Sequence, residues 1–189
     1  MKTTKLTIIF ILFSTVSFAC SCDWGGNFIS TAKNADLVVL AKVVQHNFHL
    51  EKNGKTFSSL EEAVEETFKS EYDNETDFYE SIDLEILEVI KGRETRKIIR
   101  IFASDGADCR SGVRNFETGK TYLFTPTLSK YSLTDMPNEK ETDFFLWSCS
   151  ETSIEYRADN NKVYGLIKGK SNAKKPIQYD YAKLLRKIT

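Results

Sequence analysis

Beyond its first twenty residues the chain has no long apolar run, no internal repeat and no low-complexity linker. A bilayer-spanning helix needs about 20 consecutive apolar residues, so we expect no transmembrane segment. Basic residues are not in excess, because 26 Lys and Arg stand against 27 Asp and Glu. A nucleic-acid-binding face needs clustered positive charge. We therefore expect no nucleic-acid partner.

Cysteine and histidine are also scarce, with four and two residues respectively. Cys20 and Cys22 form the one close pair, whereas structural zinc sites use four Cys or His ligands. His46 and His49 lie three apart on a predicted strand and so point to opposite faces. Ser111 lacks the nucleophile-elbow motif. We expect neither an enzyme nor a bound cofactor.

The N-terminus has the order of a secretory signal peptide. Lys2 and Lys5 precede an apolar run over residues 6–13, and smaller residues follow up to Ala19. The apolar run is too short to span a bilayer. We predict that residues 1–19 are a signal peptide, and that the mature protein is secreted into an extracellular or periplasmic space.

Cleavage there leaves 189 − 19 = 170 residues, numbers 20–189, which suits a single domain. Four cysteines in an oxidising compartment predict two disulfides. Three pairings are formally open. A Cys20–Cys22 bond would close a very short, strained ring, so each of these is expected to pair with a distant partner, Cys109 or Cys149.

Hydrophobic periodicity predicts five strands and three helices. The strands are expected at 36–50, 81–91, 95–103, 120–128 and 144–152, and the helices at 27–35, 59–72 and 179–188. Five strands with both chain ends tied down predict a mainly β fold. The five-stranded OB-fold-like barrel fits that strand count, with a short N-terminal helix, a helical insertion and a C-terminal helix. Trp24 and Trp147 are expected to pack within this fold.

An acidic insertion spans about residues 51–80. Between Glu61 and Glu80 there are nine acidic residues and one lysine. Ser59 and Glu62 have the spacing of a capping box at the start of the helix. The segment is predicted to be a solvated insertion, and the alternative is an acidic contact loop for a basic partner.

Several segments together resemble one family. They are Cys20-Ser21-Cys22 directly after the signal peptide, residues 35–43 (ADLVVLAKV), 89–92 (VIKG), Asp108-Cys109, 116–123 (FETGKTYL) and 147–152 (WSCSET). This order resembles the netrin-like domain, and within it the N-terminal inhibitory domain of tissue inhibitors of metalloproteinases. The resemblance runs from Cys20 to about Thr152.

The resemblance implies a five-stranded OB-fold barrel with disulfides Cys20–Cys109 and Cys22–Cys149. It also implies an inhibitor whose Cys20 α-amine and carbonyl chelate the zinc of a partner metalloproteinase. The implied protease-binding residues are Cys20, Ser21, Cys22, Ala107, Asp108 and Cys109, and the only metal contact is the Cys20 backbone on the partner's zinc.

The chain also departs from that family. It has four cysteines and no second disulfide-bonded domain, and Asp23 to Gly26 do not match the inhibitors' hydrophobic continuation. One alternative is a non-inhibitory netrin-like binding or adhesion module. Another is a surface lipoprotein acylated at Cys20, which is disfavoured because Ser17 stands where a lipobox usually has Leu.

Overall fold

The computed structural model describes residues 23–51, 54–69, 78–106, 108–132, 136–169 and 175–189. Within these ranges it contains three α-helices, ten strands and one 3₁₀ turn. In chain order they are α1 (Phe28–Asn34), β1 (Val38–Leu50), β2 (Thr56–Phe57), α2 (Leu60–Lys69), β3 (Phe78–Lys91), β4 (Ile98–Phe102), β5 (Thr121–Phe124), β6 (Thr127–Leu128), the 3₁₀ turn (Ser129–Tyr131), β7 (Phe144–Phe145), β8 (Ser153–Arg157), β9 (Lys162–Gly165), β10 (Ile177–Asp180) and α3 (Tyr181–Ile188).

The strands form one mixed sheet in the order β10-β9-β8-β5-β1-β3-β4-β7-β6, and β2 pairs with the far end of β1. All neighbours are antiparallel except β4 and β7, which run parallel. Within the described ranges β10 and β6 do not pair with each other, so the sheet is not closed. The mainly β prediction is confirmed, the strand count is corrected from five to ten, and the five-stranded barrel is not confirmed.

Strand β1 is buried on both faces at its start. Val39, Ala41 and Val43 belong to a first core, while Val38 and Leu40 belong to a second. A strand covered on both sides has no need of polar alternation. This explains why the sequence reads as a continuous Val- and Leu-rich run there.

The first core contains residues from β1, β3, β4, β5 and β7, including Ile82, Leu84, Ile101, Phe124 and Phe144. The second core lies between the sheet and the two terminal helices. It contains Phe28 and Ala32 of α1, Ile154 and Val163 of the outer strands, and Leu184 of α3. The sheet is therefore a layer between two apolar clusters.

The three predicted helices are present, each with a side-chain cap at its start, but positions 70–72 lie outside the described ranges and positions 179–180 belong to β10. Asn27 Oδ1 accepts from Ser30 N at α1, and Ser59 Oγ accepts from Glu62 N at α2, each over 3.2 Å. Asp180 Oδ1 accepts from the N–H of residue 183 at α3, over 2.7 Å. An oxygen at the N-cap satisfies an amide that has no partner within the helix.

The predicted strand at 144–152 was largely wrong. Only Phe144–Phe145 is a strand, and the rest is a loop. The predicted strand at 120–128 is split into β5 and β6 around Pro126, which cannot donate to a ladder. The short strands β8, β9 and β10 were not predicted.

Candidate functional site

The predicted site lies only partly within the described residues. Cys20, Ser21, Cys22 and Ala107, together with the predicted cleavage point, fall outside them. Asp108 and Cys109 are described, as is Cys149. We therefore describe the predicted site from the surroundings of Asp108, Cys109 and Cys149.

Three backbone segments lie side by side around Cys109 and Cys149, and we call residues 23–26, 108–110 and 147–151 the cysteine junction. Gly25 N–H donates to the Cys149 carbonyl over 2.7 Å. Ser148 donates to the Cys109 carbonyl through its N–H and through its hydroxyl, each over 2.9 Å. The loop after β7 is therefore bonded on one side to the start of the described chain and on the other to the Cys109 segment.

Further backbone contacts extend the junction. Gly26 and Ser150 form a parallel bridge, and Glu151 N–H donates to the Gly26 carbonyl over 3.0 Å. Arg110 and Trp147 form an antiparallel bridge. In residues 147–151 these contacts occupy the backbone N–H and C=O groups that would otherwise pair with a neighbouring strand. The segment predicted as the fifth strand is therefore a loop after Phe145.

A buried ion cluster anchors the segment that carries Cys109. Arg110 Nη1 lies 2.7 Å from Glu139 Oε1, and its Nε lies 2.9 Å from Asp108 Oδ2. Its Nη2 donates to Ser132 Oγ over 2.7 Å, and its guanidinium carbon lies 4.9 Å from the centre of the Phe145 ring. The Arg110 side chain is only 1% exposed. A buried guanidinium requires such partners because its desolvation is costly.

Asp108 therefore has a structural role that the sequence did not reveal. Its side chain is 8% exposed, and its carboxylate accepts from Arg110 N–H over 3.1 Å in addition to the ion pair. The carboxylate points into the protein, so a partner at this position would meet the backbone. Sequence reasoning also missed Arg110 and Glu139, because 29 positions separate them and no motif links them.

Two adjoining cavities open beside the cysteine junction. The first has a volume of about 180 Å³ and is lined mainly by apolar residues such as Leu37, Pro126 and Phe144. The second has a volume of about 270 Å³ and reaches from the α1–β1 connection to Trp147. Asp36 lines both. Trp147 packs against Phe145, is 38% exposed and lines this cavity.

Glu151 is a carboxyl group with little solvation at the edge of the junction. Burial raises its pKa to about 7. Within the described ranges no hydrogen bond or ion pair to its carboxylate is found, so desolvation is not offset by a cation. Its neutral form is consequently favoured in the folded protein.

The two histidines occupy different surroundings. His49 is fully buried, stacks on Phe102 at 5.1 Å between ring centres, and places Nε2 2.8 Å from Ser81 Oγ. His46 is half-buried, with Nε2 2.7 Å from the Phe116 carbonyl. Ser81 is also fully buried. The Ser81–His49 hydrogen bond is therefore buried and is not accessible from the surface.

The acidic insertion is described in part. Helix α2 carries Glu61 and Glu62 in its first turn, and Glu66 forms an ion pair with Lys55. Phe68 is 85% exposed. Residues 70–77, which hold several of the predicted acidic positions, lie outside the described ranges.

Within the part of the chain that the structure describes, no group of three or more His, Cys, Asp or Glu residues could hold a metal ion. No helix in those ranges is long and apolar enough to cross a bilayer. No family model matches the chain, and no curated protein matches it.

Proposed function

We propose that the mature chain begins at Cys20 and is a secreted inhibitor of a zinc metalloproteinase, similar to the tissue inhibitors of metalloproteinases. The observation that carries the proposal is the cysteine junction, in which Gly25 is bonded to Cys149 and Ser148 to Cys109. The start of the described chain thus lies beside both downstream cysteines, as a disulfide-held N-terminus requires.

The resemblance implies the disulfides Cys20–Cys109 and Cys22–Cys149, and chain reach is compatible with the second. Three residue steps separate Cys22 from Gly25, and an extended chain spans at most about 11 Å over that distance. Cys149, whose carbonyl accepts from Gly25, is therefore within bonding reach of Cys22. Neither Cys109 nor Cys149 is a free thiol. Two bridges would fix the N-terminal residue from both sides.

A fixed N-terminal cysteine has the right chemistry to cap a protease zinc. Its α-amine and backbone carbonyl can close a five-membered chelate ring on the position that a catalytic zinc leaves open. An α-amine with an ordinary pKa near 7.7–8.0 needs to lose only one proton to ligate. Because the disulfides hold the group in place, little ordering entropy opposes binding.

The neighbouring residues would complete the contact. Ser21 would point at the specificity pocket of the protease, and the backbone at Ala107 and Asp108 would form a second part of the contact surface. The Asp108 carboxylate is engaged with Arg110, so it serves to hold this segment in shape.

The OB-fold-like barrel belongs to the same proposal. Five strands contribute to the single first core, namely β1, β3, β4, β5 and β7. These five strands are neighbours in the order β5-β1-β3-β4-β7, so their shared face forms one continuous apolar surface, as the interior of a small barrel would need. This surface is compatible with a barrel-like scaffold for the N-terminus.

A non-inhibitory netrin-like binding module is the second candidate. The inward-pointing Asp108 favours it, because one predicted contact residue is used for internal structure. In this case the cysteine junction would serve only to tie the N-terminus to the sheet.

An inhibition assay with altered N-termini distinguishes the two candidates. The protein starting at Cys20 would be compared with a variant carrying an extra Ala before Cys20, against a panel of metalloproteinase catalytic domains. The extension displaces the chelating amine, so inhibition is expected to fall by at least about 100-fold, or about 2.7 kcal/mol. A variant with Ala added after Thr189 is the control. Equal inhibition by the extended form would contradict the proposal, and no inhibition by any form would favour the binding module.

A further inference from the structure

The second cavity, of about 270 Å³, is lined by one charged group and one exposed aromatic ring. Among the described residues that line it, Asp36 alone carries a charge, and Trp147 is the one aromatic residue. The other lining side chains are mostly hydroxyl groups, such as those of Thr127 and Ser150. We call this cavity the Asp36–Trp147 pocket.

The Asp36 carboxylate has no partner of its own in the described ranges, where no hydrogen bond or ion pair to it is found, and the residue is exposed. The nearby cation Lys91 is engaged elsewhere, since its Nζ donates to the Ala32 and Lys33 carbonyls over 3.3 and 2.6 Å. Arg93 lines the adjoining cavity, and within the described part it forms no ion pair. Among the described residues, no ion pair therefore neutralises the negative charge of Asp36, although Arg93 lines the same first cavity.

The Asp36 backbone and the Trp147 ring are held in position by the fold. The Asp36 carbonyl lies so close to Gly92 that a Cβ there would come within 2.0 Å of it. The Trp147 ring packs edge-on against Phe145, with 4.8 Å between ring centres. A recognition group that is fixed before binding loses little entropy when a ligand arrives.

We propose that the Asp36–Trp147 pocket receives an arginine side chain of a partner protein. A cation near an aromatic face and an unpaired carboxylate gains from both. Arginine fits better than lysine because its planar guanidinium stacks on aromatic rings and is more weakly hydrated. Gly25, Trp147 and Ser150 line the pocket and belong to the cysteine junction, so a protein covering the junction also covers the pocket. The pocket's preference for a cation is independent of whether Cys20 chelates zinc.

The test is a direct titration that needs no protease. N-acetyl-arginine amide is added to the ¹⁵N-labelled protein, and the Trp147 indole signal, assigned by its loss in Trp147→Phe, is followed by NMR. N-acetyl-citrulline amide, the neutral isostere, is the comparison ligand. Arginine is expected to bind with a roughly millimolar dissociation constant, and citrulline at least about tenfold more weakly.

Variants separate the two groups of the pocket. Asp36→Asn is expected to weaken arginine binding about tenfold, whereas the exposed Asp159→Asn, with the same change in net charge, is expected to leave it unchanged. Trp147→Tyr keeps an aromatic face and is expected to retain binding, while Trp147→Leu loses it, as measured by calorimetry. Thermal unfolding of each variant shows that the fold is intact.

Three results would overturn the inference. One is equal binding of the citrulline and arginine compounds. Another is no binding of arginine up to about 50 mM, a concentration well above the expected dissociation constant. The third is much tighter binding of free L-arginine than of the blocked amide, because this would indicate a site for a free amino acid.

Discussion

Arg110 and Glu139 form an ion pair across 2.7 Å in which both side chains are almost fully buried, with exposed fractions of 1% and 3%. This pair joins the Cys109 segment to the loop that precedes β7. Glu139 also accepts from Met136 N–H over 3.0 Å, so the carboxylate holds its own loop as well. The geometry around Cys109 therefore depends on a buried charge pair.

Removing the charge of Glu139 is expected to destabilise the protein. Glu139→Gln leaves the Arg110 cation buried with Asp108 as its remaining counter-charge, and breaking a buried pair costs about 3 kcal/mol or more. Urea unfolding measures the change in the free energy of unfolding. The exposed Glu141→Gln is the matched control and is expected to cost less than about 0.5 kcal/mol. A Glu139→Gln protein as stable as the control would show that the pair contributes nothing.

His49 is expected to make stability fall with acidification. Burial, assisted by Arg100 and opposed by Asp83, lowers the pKa of His49 from 6.5 to about 4. Between pH 4 and pH 6.5 the unfolded state binds more protons than the folded state. The contribution of His49 to the free energy of unfolding is therefore complete above about pH 6.5 and is lost as the pH falls towards 4. The loss is on the order of 3 kcal/mol.

The measurement is urea unfolding between pH 4 and pH 7 for the wild type and for His49→Gln. Subtracting the two curves removes the carboxylates that both proteins share. The wild type is expected to show the steeper decline. Parallel curves would mean that His49 titrates alike in the folded and unfolded states.

Glu151 is expected to act in the opposite direction. Burial raises the pKa of Glu151 from 4.5 to about 7, so the folded state binds more protons between these values. The contribution of Glu151 to the free energy of unfolding is therefore complete below about pH 4.5 and is lost as the pH rises through 7. Glu151→Gln, which cannot ionise, is expected to be more stable than the wild type at pH 8, by about 1–3 kcal/mol, and equal to it at pH 4. Urea unfolding of both proteins at pH 4 and pH 8 measures this difference. A Glu151→Gln protein that is less stable than the wild type at pH 8 would contradict the prediction.

Gly92 and Gly119 provide a matched pair of turn positions. Both have a left-handed backbone, with φ of 84° and 89°, but a Cβ at Gly92 would lie 2.0 Å from the Asp36 carbonyl, while nothing lies within 4 Å at Gly119. Gly119→Ala is expected to cost about 1 kcal/mol from the backbone conformation alone. Gly92→Ala is expected to cost about 3 kcal/mol or more, because the Asp36 backbone must also move. Thermal or urea unfolding compares them, and equal costs would show that the close approach is relieved without penalty.

The sequence predicted the parts of the fold in which local pattern and tertiary packing agree. The Val- and Leu-rich run of β1, the alternation of β3 and the capped helix after Ser59 were all recognised. The short outer strands β8 to β10 were missed, since strands of four or five residues carry too little periodicity to stand out.

The site was less predictable, because its important contacts join residues distant in sequence. Cys149 was placed on a strand, but its carbonyl is bonded to Gly25. The Arg110–Glu139 pair and the Asp36–Trp147 pocket bring together positions that no motif connects. Such contacts form when loops that are distant in sequence fold over the sheet, and local secondary-structure propensity does not predict them.

The proposal that the mature chain is exported and begins with a free amine at Cys20 is tested most directly by intact mass spectrometry combined with N-terminal sequencing. The account predicts a chain that begins at Cys20 and has a mass about 4 Da below that of the fully reduced polypeptide, as two disulfides require. A lipid adduct of hundreds of daltons, a start at any other residue, or four reduced thiols would contradict it.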